Sequence, residues 1–594
     1  MPTPEELLDL AEAELRAMDY DAEAHGGLDR RRFMFMSLVS AAATTFGVAS
    51  AGRAQGATAQ GVQAPPPMPL GNGEAPALQF MPYPGGTGAL MEKLARERGR
   101  AAFDKVPFTV EKWSGAVPAN PEDLCFLPAH RLSALIRAKR ITSVQLTRLY
   151  LDRITRLNPT LLCAVTIMDQ QAMAEAARAD AELAAGKYRG PLHGVPYGVK
   201  DLFSTKGVPT TWGTKDFENR IIDEDAEVVV RLREAGAVLI AKLSTGLFAQ
   251  NDQWFRGRTN NPWNLVQGAS GSSAGPGSAT AAGCVAFSIG TETQGSIVSP
   301  SIRNGITALR PTFGRVSRHG GMVLAWSMDR VGPMCRTVED CAMVFSVIHG
   351  VDEKDPSTVT TPFQFDRKIA LGSLRVGVDP TAPKEFVDTL RELGMQPRDI
   401  GPRPTVAGGG SGLGVEGAAA FDEYVQRKAK EIGLDLTTLP EPRPAAAGGG
   451  GGGPPAAPAG GAPANPMAPA DWNPRFVNGR MVRGLDFMQQ QRRRYVMVAR
   501  WAEFMKDLDM FIAAPSADVG ANAQTGHPCV VVPYKFDVPQ QGQGGGANPQ
   551  PRLDLKAQPI CATIVGGLYN DDRILAVAHR FQSATDIHLK RPTL

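Results

Sequence analysis

Between residues 141 and 379 the chain switches repeatedly between two spacings of apolar side chains. In ITSVQLTRLYLDRITRLNP, Leu146, Leu149, Tyr150, Ile154 and Leu157 recur at helical steps, which predicts a helix with one buried face. Thr142 and Gln145 stand in capping-box spacing at its start, and Asn158-Pro159 is expected to stop it. The Ala-rich QQAMAEAARADAELAAG predicts a second helix, closed by Gly186. Then the pattern alternates. GVPYGV is strand-like, AEVVVRLREAG helical up to Gly236, and AVLIAK a strand again. CVAFSIG follows a Gly/Ser loop and a short Ala-rich helix as another strand, and SLRVGVD at residues 373–379 continues the series. Strands alternating with helices predict an α/β fold: one large domain with a central mixed, mainly parallel twisted sheet covered by helices on both faces.

Two stretches interrupt this. Residues 404–475 contain AAAGGGGGGPPAAPAGGAPANP and read as a flexible Gly/Pro-rich insertion, because such a sequence buries too little apolar surface to order. QQGQGGGANPQP at residues 540–551 is a smaller one. Gly412, Gly414 and Gly417 match GxGxxG but have no strand–helix frame around them, so dinucleotide binding is set aside.

The first 54 residues read as an address. Arg30, Arg31 and Arg32 precede Phe33 and a modestly apolar run to Ala51, with Ala49-Ser50-Ala51 as the cleavage site. This pattern is similar to a twin-arginine export signal. Ser, Thr and Gly dilute the run too much for it to span a bilayer well, so no stable membrane anchor is expected after cleavage, and the destination is periplasmic or extracellular. Residues 55–121 form an N-terminal extension, Gln-, Ala- and Pro-rich at first and partly disordered there, and residues 122–594 the main domain. Of the 594 residues, 43% are hydrophobic and 21% charged, and a net charge of +3 with no basic stripe argues against a nucleic-acid partner. The seven cysteines form no CxxC pair and no Cys/His ligand spacing, so neither a metal nor a cofactor is expected, and most should be buried small hydrophobes.

The candidate chemistry lies in GASGSSAGPGSATAAGCVAFSIGTETQGSIVSP, which interleaves Ser270, Ser272, Ser273, Ser278, Ser288, Ser296 and Ser299 with glycines. A strand-like run through its middle ties both ends to a scaffold, as suits a backbone-lined site. Gly271-Ser272-Ser273-Ala274-Gly275 matches the GxSxG elbow, but that reading needs a preceding strand, and NPWNLVQGA is not a clear one. It also needs a downstream histidine, and His527, His579 and His588 stand in no distinctive context. A lysine is the other candidate base. Lys200 and Lys242 each end an apolar strand, where burial would lower the amine pKa until it could take a serine proton. The alternative is a lysine that snorkels outward or, for Lys200, pairs with Asp201. Composition does not choose between the two lysines.

From about Leu124 to Gly350 the chain resembles the amidase signature family, through GPLHGVPYGVKDLF, GRTNNPWN, GSSAGPGSATAAG, IGTETQGSIVSP and LRPTFGRVSRHGG. FIAAPSADVGANAQTGHPCVVVP and ILAVAHRFQSATDIHLKRP extend the likeness toward the C-terminus. The resemblance implies a serine hydrolase without histidine or metal, in which Ser296 is the nucleophile, Ser272 the bridging serine and Lys200 the base. It also implies a cis peptide at Gly271–Ser272 and an oxyanion hole of the Thr293, Gln294, Gly295 and Ser296 amides, with Ser273 supporting the network.

The implied reaction is hydrolysis of a small-molecule or peptide amide through an acyl-enzyme; a homodimer stays open. The usual family pattern has two glycines before the nucleophile, where this chain has Gln294-Gly295. A positive φ at residue 294 would strain the glutamine by ~1–2 kcal/mol. The same departure resembles the peptide-amidase-like branch. Two alternatives are a noncatalytic amidase-like binding protein and a glutamine-hydrolysing amidotransferase A-type subunit.

Overall fold

The computed structural model describes residue 83 and residues 86–406, 410–433, 435, 436, 476, 479–540 and 554–594. The export-signal reading of residues 1–54 lies outside the described residues, as do residues 437–475 and 541–553 in the two insertions.

The first periodic stretch is the helix Ser143–Leu161. Both arms of its capping box are present: Gln145 N donates to Thr142 Oγ1 and Thr142 N to Gln145 Oε1, each at 3.0 Å. The helix runs past Asn158-Pro159, with Pro159 inside its last turn. Only one amide is lost there. The end is secured three residues after the proline by Leu162, whose φ of 48° is left-handed and whose amide donates to the Asn158 carbonyl at 2.7 Å.

Among the described residues eleven strands form the main sheet: β1 Ala164–Ile167, β2 Pro196–Lys200, β3 Val238–Leu243, β4 Phe287–Glu292, β5 Thr307–Arg310, β6 Arg330–Cys335, β7 Val376–Val378, β8 Arg398–Asp399, β9 Met510–Ala513, β10 Cys529–Asp537 and β11 Gln558–Gly566. Their order across the sheet is β1-β3-β2-β4-β6-β5-β10-β11-β9-β7-β8. The sheet is mixed, as the alternation of elements implies, with parallel pairing confined to β3-β2-β4 and β9-β7-β8. The other six pairings are antiparallel, more than the sequence pattern suggests. Periodicity reports that a strand is buried, and it is blind to the direction of the neighbour.

Side chains alternate across the C-terminal half. Ile512, Val530, Val532 and Ile564 share a core with Ile574, Leu575 and Phe581 of the helix Asp571–Ser583. Phe511, Ala513 and Val531 share another with Trp501 and Met505 of the helix Gly484–Met505. Helices therefore cover both faces. The described part of the N-terminal extension is also ordered: Leu90 and Leu94 of the helix Gly86–Arg98 pack with Tyr569, and Arg98 pairs with Asp572.

Residues 404–475 are not uniformly the flexible insertion expected from composition. Leu413–Ala420 and Asp422–Glu431 are helices. They carry the apolar side chains that the glycine-rich stretch lacks, and Phe421, Tyr424 and Val425 enter a cluster with Trp212, Phe248 and Phe476. Burying each such ring stabilises the docking by ~1.5–3 kcal/mol. Gly412 opens the first of these helices and Gly414 and Gly417 lie within it, with no strand immediately before them among the described residues. All seven cysteines are buried and unpaired.

Candidate active site

Parallel pairing of β2 with β3 sets Lys200 opposite Leu243 and Val199 opposite Lys242. The two strand-end lysines therefore project to opposite faces, and each meets different partners. Lys242 Nζ lies 3.0 Å from Asp201 Oδ1 and donates to Thr210 Oγ1 at 2.9 Å. Asp201, the partner that the alternative reading gave Lys200, belongs to the other lysine. Lys200 Nζ lies 2.8 Å from Ser272 Oγ and 2.8 Å from Thr291 Oγ1. Among the described residues no carboxylate comes within ion-pair distance of it. Burial drives its amine well below the usual lysine range, against the pull of Asp329 and Glu292.

Ser272 sits in the turn before the helix Ala274–Ala281, and the Gly271–Ser272 peptide is cis. Only glycine fits at 271, since a Cβ there would lie 1.7 Å from the Asn251 carbonyl oxygen. Gly246 N donates to the Ser272 carbonyl at 3.2 Å. A short strand, Asn264–Gly268, does precede this turn, contrary to the sequence expectation. Even so, the elbow reading fails on geometry. Its central serine, Ser273, is fully buried and donates to the Thr291 carbonyl at 3.0 Å. His527 is buried against Thr525 Oγ1, with burial and the nearby Arg310 and Arg330 holding its pKa at about 3.

Beyond β4 the chain turns through Thr293, Gln294 and Gly295 to Ser296. Gly295 carries the positive φ, +102°, while Gln294 does not adopt one and is exposed. The strain considered for residue 294 therefore does not arise. Among the described residues, the amides of Thr293, Gln294, Gly295 and Ser296 donate to no protein acceptor. The next two amides, Ile297 and Val298, both donate to Glu292 Oε2, at 2.8 and 2.9 Å. Four consecutive unengaged donors ending at a serine suit an anion that forms there. The half-buried Ser296 hydroxyl is not hydrogen-bonded to Ser272 or Lys200; the two serine segments are joined by Ser273 N, which donates to the Ser296 carbonyl at 3.2 Å.

Three groups escaped the sequence reading. Glu292 accepts from Arg310 Nη1 at 3.1 Å besides the two amides, fixing the turn from behind. Burial pushes its carboxyl up, but Arg310, Arg330 and the amides hold it below the usual range. Asp329 accepts from Thr293 Oγ1 at 2.6 Å and from the Leu324 and Ala325 amides. Thr291 contacts Lys200. Thr291 and Glu292 lay within the motif already singled out, where an acid next to a threonine at a strand end is a usable signal; Asp329 has no local one. Among the described residues no cluster of histidine, cysteine and carboxylate side chains could hold a metal, and no helix is long and apolar enough to cross a membrane.

The family model described as Amidase matches residues 145–395. The A-type subunit of the glutamyl-tRNA(Gln) amidotransferase from Methylococcus capsulatus is 33% identical over 494 residues, 78% of this chain and 97% of the relative. The structure of native peptide amidase from Stenotrophomonas maltophilia superposes with a TM-score of 0.59 at 25% identity, covering 78% of this chain and 98% of that one. An amidase family protein from Bacillus anthracis gives a TM-score of 0.64 at 22% identity, covering 80% and 94%.

Proposed function

The chain belongs to the amidase family, and on that premise we propose that it cleaves a carboxylic amide at the C–N bond through an acyl-enzyme on Ser296. The row of four unengaged amides ending at Ser296 is the observation that carries this reading. In the proposed sequence the Ser296 hydroxyl attacks the carbonyl carbon and its proton passes to Ser272 Oγ, while the Ser272 proton passes to the neutral amine of Lys200. The amides of Thr293, Gln294, Gly295 and Ser296 receive the oxyanion; removing one such donor typically costs ~3–4 kcal/mol of transition-state stabilisation. An amide nitrogen leaves only when protonated, and the Lys200–Ser272 pair returns the proton to it. Water then releases the carboxylate by the same route.

Two substrate readings share this chemistry. In the first, the protein is a self-sufficient amidase exported by the twin-arginine route, with residues 1–54 as signal, 55–121 as extension and 122–594 as catalytic domain. The N-terminal arginines and the Gln294 departure favour it. In the second, it is the glutamine-hydrolysing subunit of a transamidation complex. Curated relatives bearing that name match over nearly their whole length, which supports the second reading at least as well.

Ammonia release from glutamine, from C-terminal peptide amides and from aryl amides separates the two. Peptide or aryl amides turned over by the lone chain favour the first reading, and glutamine turned over only with partner subunits favours the second. Ser296→Ala and Lys200→Ala should each abolish release at neutral pH, together with labelling of Ser296 by a fluorophosphonate. Activity surviving in either variant refutes the assignment, and failure of the parent chain to label favours a noncatalytic binding protein.

A further inference from the structure

We propose that Thr291 is the positioning residue of this site, holding the Lys200 amine so that its lone pair faces the Ser272 hydroxyl. The inference rests on the acyl-enzyme reading above and adds to it a reason why the amine points at Ser272.

A neutral primary amine has two N–H bonds and one lone pair, set tetrahedrally. To act as a base toward Ser272 it must spend both N–H bonds elsewhere; otherwise rotation about the Cε–Nζ bond offers Ser272 a donor instead of an acceptor. Among the described residues, Lys200 Nζ has three polar neighbours: Ser272 Oγ at 2.8 Å, Thr291 Oγ1 at 2.8 Å and the Thr291 carbonyl at 3.5 Å. Two of the three belong to Thr291, and both can accept. Assigning the two N–H bonds to Thr291 leaves only the lone pair for Ser272. The hydroxyl contact is the strong one, because 3.5 Å is long for a hydrogen bond and the Thr291 carbonyl already accepts from Ser273 Oγ at 3.0 Å.

Thr291 is itself held at both ends. Its Cα is registered opposite Val331 in the antiparallel β4/β6 pair, and its amide donates to Ser273 Oγ at 3.3 Å. Ser273 thus fixes the Thr291 backbone, and the Thr291 side chain fixes the lysine. This gives Ser273 a role beyond that of a turn hydroxyl. When the proton arrives, the ammonium has three N–H bonds for the same three oxygens, so no neighbour has to move.

The charged groups around Lys200 are Asp329, just before β6, and Glu292 at the end of β4; both favour the ammonium, and burial opposes it. An oxygen acceptor stabilises an ammonium more than a neutral amine. Removing the Thr291 hydroxyl therefore lowers the lysine pKa further, and the rising limb of the rate-against-pH profile moves to lower pH.

The test uses the full chain and two variants, with the rate of fluorophosphonate labelling at Ser296 measured from pH 5 to 10, so that no substrate need be known. Thr291→Val keeps the volume and removes the hydroxyl; it should slow labelling roughly 100-fold and shift the limb to lower pH. Thr291→Ser should restore most of the rate and the parental limb. The proposal is overturned if Thr291→Val labels at the parental rate, or if both variants are equally slow with an unshifted limb, which would mark a packing role. Labelling that persists in Lys200→Ala would instead sink the acyl-enzyme assignment itself.

Discussion

Replacing Lys200 with methionine should make the protein more stable at neutral pH while abolishing its activity. An exposed lysine has its pKa near 10.5, and Lys200 is fully buried with no carboxylate among the described residues in contact, its amine pushed well below that value mainly by desolvation. At pH 7 the unfolded chain carries the proton, and burial disfavours it in the folded chain. Burying this amine therefore costs stability at pH 7. Methionine matches the length and needs no proton removed. It forfeits the contacts to Ser272 Oγ and Thr291 Oγ1, worth about 1–1.5 kcal/mol each. Because burial is the largest influence on this amine, relief from desolvation is expected to exceed that loss and leave the variant the more stable.

The sign with pH follows from proton counting. Between the folded and unfolded pKa values the unfolded state binds more protons, so the parent gains stability as pH rises and the advantage of the variant shrinks toward pH 10.5. Urea midpoints of both proteins at pH 6, 7, 8 and 9 measure the gap. A variant less stable than the parent at pH 7, by an amount that does not change with pH, would mean that the amine is charged in the folded protein. That result would remove its standing as the base.

Three further outcomes are expected. Glu292→Gln breaks a buried pair and should lower stability by about 3–5 kcal/mol at pH 7, with a large loss of labelling at Ser296. Because the folded carboxyl is depressed from 4.5, that stability is present above the unfolded pKa and is lost as pH falls through the folded one, so the gap in thermal midpoints should narrow as pH falls below 4.5. Gly295→Ala places a Cβ 3.1 Å from Ser299 Oγ and 3.2 Å from Val519 at a φ of +102°, and should cost ~1–2 kcal/mol and most of the activity. Gln294→Gly, at an exposed position without positive φ, should change stability by no more than about 1 kcal/mol, as urea midpoints would report.

Much of this molecule is legible in its sequence. The capping box of Thr142 and Gln145, the strands ending at Lys200 and Leu243, and the glycine-serine turn before a small-residue helix are local matters, decided by backbone preference and the spacing of apolar side chains. The motifs around Lys200, Ser272 and Ser296 likewise stand out as strings.

What the sequence left open is whatever depends on a neighbour far along the chain. Lys200 and Lys242 are equivalent as strand-end lysines; only the register of β2 against β3 turns one toward Ser272 and the other toward Asp201. Gln294 looks strained until the turn assigns the positive φ to Gly295. The helices Leu413–Ala420 and Asp422–Glu431 lie within a glycine-rich region, yet they order because Phe421 and Tyr424 find Trp212, Phe248 and Phe476 to pack on. Local sequence selects elements, because their hydrogen bonds close over a few residues. The direction of a buried charge, the sign of a backbone angle in a tight turn and the docking of a short helix follow from contacts that exist only once the sheet has assembled.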